Sequence, residues 1–179
     1  EILFLNDNQI TEIKGLNTLC GLKHLALYEN QITSTAGLGA QVNLESLDLF
    51  DNKLTVIDKN TVNLISLQQL SLGKNRIEDV AILGKLLNLT CLDLSNNNIK
   101  NVTGLSTLVN LEYLDLRNNP INETDIDFLQ EELGIDVVHS LNSTYKSSKR
   151  ACGLEIFDPR YFSKFDIEKF KEYVNTYDA

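Results

Sequence analysis

The sequence predicts an α/β fold of one kind: a right-handed solenoid with a parallel β-sheet on its concave side, a C-terminal cap and a helical extension. Three observations predict it. The 179 residues include 31 Leu and 20 Asn but neither Met nor Trp, an imbalance that points to one unit used many times. Asparagines recur as Asn8, Asn30, Asn52, Asn75, Asn97 and Asn119, at intervals of 22, 22, 23, 22 and 22 residues. Around the last five, the chain reads LxxLxLxxN each time: LKHLALYEN from Leu22, LESLDLFDN from Leu44, LQQLSLGKN from Leu67, LTCLDLSNN from Leu89 and LEYLDLRNN from Leu111. A shortened sixth copy supplies Leu3, Leu5 and Asn8.

Each position in the unit has a physical reason. The leucines of LxL alternate with other residues, as in a short strand with one buried face. The asparagine follows where the chain turns away, and its amide carries donors and an acceptor for backbone groups that a tight buried turn leaves unpaired. Two residues later Ile10, Ile32, Leu54, Ile77, Ile99 or Ile121 re-enters the core. Val80, Leu83 and Leu86, or Val102, Leu105 and Leu108, close the return arm. One unit cannot bury its leucines alone; stacked units share a continuous core.

On these residues the chain resembles the leucine-rich repeat family, in its short subclass of 22-residue repeats. That subclass includes bacterial internalins and a regulatory subunit of type 1 protein phosphatase. The resemblance covers residues 1 to about 140 and implies the fold; it implies protein recognition, since members share a scaffold and differ in what they hold. Two repeats depart from the pattern: Thr35 stands where an Ile is usual, before a small polar arm, and one residue is inserted between Ile57 and Leu64.

Beyond the repeats, Pro120 ends the pattern, because proline removes a donor and fixes its own backbone angle. Thr124 is the expected N-cap of a capping helix with Ile126, Phe128, Leu129 and Leu133 largely on one face. Gly134 suits its C-terminal turn, and 135–139 reads as a last strand. The expected organisation is a repeat domain over 1–140, a polar linker over 141–150 and an aromatic-rich extension over 151–179, helical from Asp166. Seven of the 13 Phe and Tyr lie between Phe157 and Tyr177. Ile167, Phe170, Val174 and Tyr177 share one helical face, for packing back on the repeats or for docking on a partner.

Composition excludes several functions. With 16 basic against 25 acidic residues, a net charge of −9 and a pI near 4.7, the chain is repelled by phosphate backbones, so nucleic acid is not an expected partner. No apolar run approaches the ~20 residues that span a bilayer, so no membrane insertion is expected. Absence of Met implies a fragment or a processed product. Cys20, Cys91 and Cys152 are distant and odd in number, forming neither a disulfide framework nor a zinc spacing. Such thiols favour a reducing, cytoplasmic location, with a secreted or host-directed protein as the alternative. The sequons at Asn88, Asn101, Asn122 and Asn142 follow from composition.

Catalytic chemistry is not expected. Cys152, His139 and Asp158 are the one nucleophile–base set in a single region, and they match no family signature. Phosphate-loop and metal-ligand spacings are absent, so no cofactor and no metal are expected.

What remains is a surface. Side chains alternating with the leucines project onto the concave face, which six strands at about 4.8 Å spacing make roughly 24 Å wide. Its middle column reads Phe4, Ala26, Asp48, Ser71, Asp93 and Asp115; the column before it includes His24, Cys91 and Tyr113; the column after it includes Tyr28, Phe50, Gly73, Ser95 and Arg117. Tyr28 beside Phe50, ringed by acids, matches the composition of protein-binding hot spots. The alternative is that the two rings merely stack across adjacent strands. Asp93 and Asp115 in register attract a basic segment or simply solubilise. The expected partner-binding set is Tyr28, Phe50, Asp48, Asp93, Tyr113, Asp115, His24 and Arg117, on a scaffold that is monomeric without its partner. A regulatory subunit of an enzyme and a bacterial host-directed adhesin or effector are the more specific roles the resemblance implies.

Overall fold

The computed structural model describes residues 1–139. Six three-residue strands, β1 (Ile2–Phe4), β2 (His24–Ala26), β3 (Ser46–Asp48), β4 (Gln69–Ser71), β5 (Cys91–Asp93) and β6 (Tyr113–Asp115), form one parallel sheet in sequence order. The register sets Leu3, Leu25, Leu47, Leu70, Leu92 and Leu114 side by side. From Leu25 onward these central leucines are fully buried. Together with the return-arm residues, from Ile13 to Leu108, they form a single core running the length of the stack. This is the leucine-rich repeat solenoid.

The asparagines hold each turn. Asn97 is representative: its Nδ2 donates to the carbonyls of Leu72, Leu94 and Ser95 at 2.9, 3.1 and 3.2 Å, and its Oδ1 accepts from the Ile77 N–H at 2.9 Å. Two of those partners belong to the preceding coil, so each amide ties its own turn and staples it to its neighbour. Asn30, Asn52, Asn75 and Asn119 repeat the arrangement. The residue just before each asparagine (Asp7, Glu29, Asp51, Lys74, Asn96 or Asn118) has φ between 52° and 56°. A non-glycine residue in that left-handed region costs on the order of 1 kcal/mol, which the four-bond amide offsets from Asn30 onward.

Return arms in the last three full coils carry short 3-10 segments, Lys59–Asn63, Ala81–Lys85 and Thr103–Thr107. The two irregular repeats close by polar means. Thr35 Oγ1 lies 2.7 Å from Thr61 Oγ1 inside the solenoid and accepts from the Asp58 N–H at 2.8 Å. Asp58, beside the insertion, caps the first 3-10 segment through the Asn60 N–H. Gln41 is likewise buried, donating to the Leu16 carbonyl at 2.8 Å.

At the far end α1 (Glu123–Leu133) packs on Thr103–Thr107. Its N-cap is Asn122 rather than Thr124: the Asn122 amide oxygen accepts from the Asp125 N–H at 2.8 Å, and Thr124 donates its hydroxyl to that same oxygen. Ile126 and Leu129 are buried, whereas Phe128 is turned outward. Gly134 ends the helix at φ 66°, its N–H donating to Gln130. The expected last strand over 135–139 reduces to one bridge, Val138 beside Asp115. The linker over 141–150 and the extension over 151–179 lie outside the described residues.

Candidate functional site

The concave face is built from three columns, continued past the strands by hydrogen bonds such as Leu27 N–H to the Asp48 carbonyl and Glu29 N–H to the Phe50 carbonyl. Tyr28, Phe50 and Gly73 therefore stand in line on adjacent coils. Tyr28 and Phe50 are half-buried rather than projecting freely. Phe50 takes its place because Gly73 has no side chain: a Cβ there would lie 2.9 Å from Phe50 Cδ2 and 2.8 Å from Asp93 Oδ2.

The middle-column carboxylates behave differently from steering charges held out in water. Asp48, Asp93 and Asp115 each fold back on their own turn, accepting the N–H two residues ahead: Phe50 at 2.9 Å, Ser95 at 2.8 Å and Arg117 at 3.0 Å. Asp48 and Asp115 are only 8% and 2% exposed. Burial pushes Asp48 up to about 6, against the lowering effect of the Phe50 N–H and the Ser71 hydroxyl. Burial likewise raises Asp93 to about 6, opposed by the Ser95 N–H and hydroxyl. Asp115 has the fullest set of partners: Arg117 Nε lies 3.0 Å from both carboxylate oxygens, and the Tyr113 hydroxyl donates at 3.2 Å. Burial first, then the Asp115 and Asp93 charges, move Tyr113 well above the usual phenol range.

His24 is half-buried at the start of β2, and burial lowers its imidazole from the ordinary range. Cys91 is 2% exposed and disulfide-bonded, while Cys20 is free and exposed. The structure thus brings Tyr28, Phe50, Asp48 and Asp93 into one contiguous patch and sets Tyr113, Asp115 and Arg117 beside it as a bonded cluster. Among the described residues no group of His, Cys, Asp and Glu is arranged to hold a metal ion, and no helix is long and apolar enough to cross a membrane.

Two features were not read from the sequence. At the left-handed turn positions, the neighbouring Asp7 carboxylate raises the Glu29 carboxyl, and Lys74 pairs with Asp51. On the approach to the strands, Val42, Ile65, Leu87 and Val109 form an exposed apolar row. Asn88 and Asn110 hold the backbone of that row, donating to the Ile65 and Leu87 carbonyls at 2.7 and 2.8 Å. The spacing of this row, 23, 22 and 22 residues, was the available signal.

Comparison with known proteins agrees with this geometry. Residues 42–85 and 87–131 each match the family model described as leucine rich repeats. Among solved structures, an internalin, InlF, of Listeria monocytogenes is 30% identical with a TM-score of 0.71, over 78% of this chain and 42% of that one. A leucine-rich repeat protein of Leptospira interrogans is 31% identical with a TM-score of 0.72, over 76% of this chain and 36% of that one. Internalin C2 of Listeria monocytogenes is 28% identical with a TM-score of 0.62, over 77% of this chain and 70% of that one. The chain thus spans less than half the length of the first two. No curated protein sequence matches it. With a leucine-rich repeat model matching residues 42–85 and 87–131 and a solenoid like that of the internalin and the Leptospira protein, this chain is a leucine-rich repeat protein.

Proposed function

We propose that the chain is a non-catalytic recognition scaffold that holds a protein partner on its concave face, centred on Tyr28 and Phe50. Leucine-rich repeats characteristically serve as protein-interaction scaffolds, and that supports the general role. The observation that carries the specific reading is the placement of two large aromatic rings on neighbouring coils, one seated in the notch at Gly73. Neither ring builds the leucine core. Rings held in place by a rigid ladder lose little freedom on binding. Asp48 and Asp93, desolvated and committed to their own turns, set the shape of the floor more than they steer encounter. Enzyme regulation and bacterial adhesion are special cases of this role, and the partner's identity separates them. The experiment is affinity capture with the full chain against the Tyr28→Ala, Phe50→Ala double variant, followed by measurement of each captured protein's affinity for both. Selective loss in the double variant is the expected result.

A further inference from the structure

Before each of the strands β3 to β6, the chain makes a turn that opens on an exposed aliphatic residue: Val42, Ile65, Leu87 or Val109. Gly, Asn, Asp and Ser ordinarily fill such places. Ile65, Leu87 and Val109 are 64%, 55% and 70% exposed, and each follows a leucine (Leu64, Leu86 or Leu108) that is buried. The leucines build the core, so the aliphatic residues beside them have no packing task. Single apolar residues on a surface need no account, but four in line on adjacent coils form a strip. Beside the strip runs a polar groove from Glu45 to Glu112, lined between them by Gln68, Asn88, Thr90 and Asn110. We propose that strip and groove together dock an amphipathic helix of a partner protein, apolar along the strip and basic along the groove. This surface is separate from the concave rings and does not depend on them.

Spacing selects a helix. Just after the strip, the N–H groups of Gln68, Thr90 and Glu112 donate to the carbonyls of Glu45, Gln68 and Thr90 at 2.9, 2.9 and 2.8 Å. Neighbouring coils there keep the strand separation of about 4.8 Å, so Val42 to Val109 covers roughly 14 Å. On a helix, residues i, i+4, i+7 and i+11 span about 16 Å, so one apolar stripe meets all four coils. An extended segment places same-side residues about 6.8 Å apart, and over three steps it runs a full coil out of register. Asn88 and Asn110 fix the strip's backbone through the Ile65 and Leu87 carbonyls, so little ordering opposes docking. Charge selects the second stripe. The same bonds commit the two amide nitrogens and leave the amide oxygens as acceptors. Glu112 is exposed and, among the described residues, forms no ion pair; Glu45 is paired with Lys23 at 2.7 Å. A groove rich in oxygen acceptors fits the N–H donors of arginine or lysine, and the net charge of −9 favours a basic approach.

The test uses the full chain and a synthetic probe. The probe is an alanine-based helical peptide with leucine at i, i+4, i+7 and i+11 and arginine one residue after each leucine. Its fluorescence anisotropy is titrated against the wild type and three variants: Ile65→Ser with Val109→Ser, Glu112→Gln, and Tyr28→Ala with Phe50→Ala. Methyl shifts of Ile65, Leu87 and Val109 in the wild type locate the peptide without any substitution. Saturable binding that shifts these methyls is expected. It should weaken at least tenfold in the Ile65, Val109 variant and several-fold in Glu112→Gln, and should be unchanged in the Tyr28, Phe50 variant. No binding up to about 1 mM, or equal binding by the Ile65, Val109 variant, would overturn the proposal. Loss only in the Tyr28, Phe50 variant would overturn it too, while leaving recognition through the rings standing. A peptide of the same composition with its leucines at alternate positions tests an extended occupant, and tighter binding of that peptide would contradict the helix. Sedimentation of the chain alone tests a second copy; a dimer that Ile65→Ser with Val109→Ser dissolves would replace the partner helix with self-association.

Discussion

Phe50 occupies the space that a side chain at Gly73 would fill: an added Cβ would stand 2.9 Å from its Cδ2. This aromatic ring of the concave face is therefore placed by an absence on the next coil. Gly73→Ala should displace Phe50 and the Asp93 carboxylate, at a cost of about 1 kcal/mol for the overpacking. Nuclear magnetic resonance shifts confined to Phe50, Asp93 and Ser95, with the leucine methyl signals unmoved, would confirm that the effect stays on this face. Shifts throughout the core would refute it.

The asparagine ladder makes a graded prediction. Asn75→Ala removes one acceptor from the Leu54 N–H and a donor shared by three carbonyls, and should cost about 1–3 kcal/mol. Asn8 bonds only the Leu5 and Asn6 carbonyls at an exposed turn, so Asn8→Ala should cost clearly less. Equal urea midpoints for the two variants would contradict the structural role given to the buried amides.

Most of the fold was legible because each coil sets the same demands. A leucine that fails to point inward, or a turn without its amide, would break every neighbouring coil, so Leu47 and Asn52 announce themselves through their repeats. The middle-column aspartates were not legible in the same way. Whether Asp48 faces water or bonds the Phe50 N–H depends on a turn made by Asp51 in the left-handed region, and an acidic residue there gives no signal of that conformation. At the cap, Asn122 and Thr124 are both capable caps; tertiary placement let Asn122 reach the Asp125 N–H. Helical spacing put Phe128 near Leu129, yet packing on Thr103–Thr107 uses Ile126 and Leu129 and leaves Phe128 outside.

Protonation of the concave floor has a definite sign. Asp48 and Asp93 sit near 6 when folded, above the ordinary 3.8, so the folded state binds protons more tightly than the unfolded chain. Their contribution is fully present below about pH 4 and is lost as pH rises through 6. Asp48→Asn, which can still accept from Phe50, should stabilise the protein at pH 7.5 by on the order of 1–3 kcal/mol and change it little at pH 4. Urea unfolding at both pH values measures this. A variant that is destabilised at pH 7.5 would show that the carboxylate is charged and well partnered.

Thr35 and Thr61 form a side-chain pair that closes an irregular arm through a 2.7 Å bond. Thr35→Val leaves the Thr61 hydroxyl and the Asp58 N–H without that partner and should cost about 1–3 kcal/mol. A double-mutant cycle with Thr61→Val should give a coupling of at least ~0.5 kcal/mol. Additive effects would mean that the hydroxyls are satisfied independently.

The proposed protein recognition through Tyr28 and Phe50 uses a concave face whose solenoid does not need either ring. Its most direct test is the dissociation constant of a captured partner, measured by titration calorimetry against the wild type and against Tyr28→Ala, Phe50→Ala, with urea midpoints recorded for both. A weakening of about 2 kcal/mol or more, with the leucine core still folding cooperatively, is the expected result. Unchanged affinity in that variant, with binding lost instead on replacing Ile65 and Val109 of the exposed apolar row, would contradict the account.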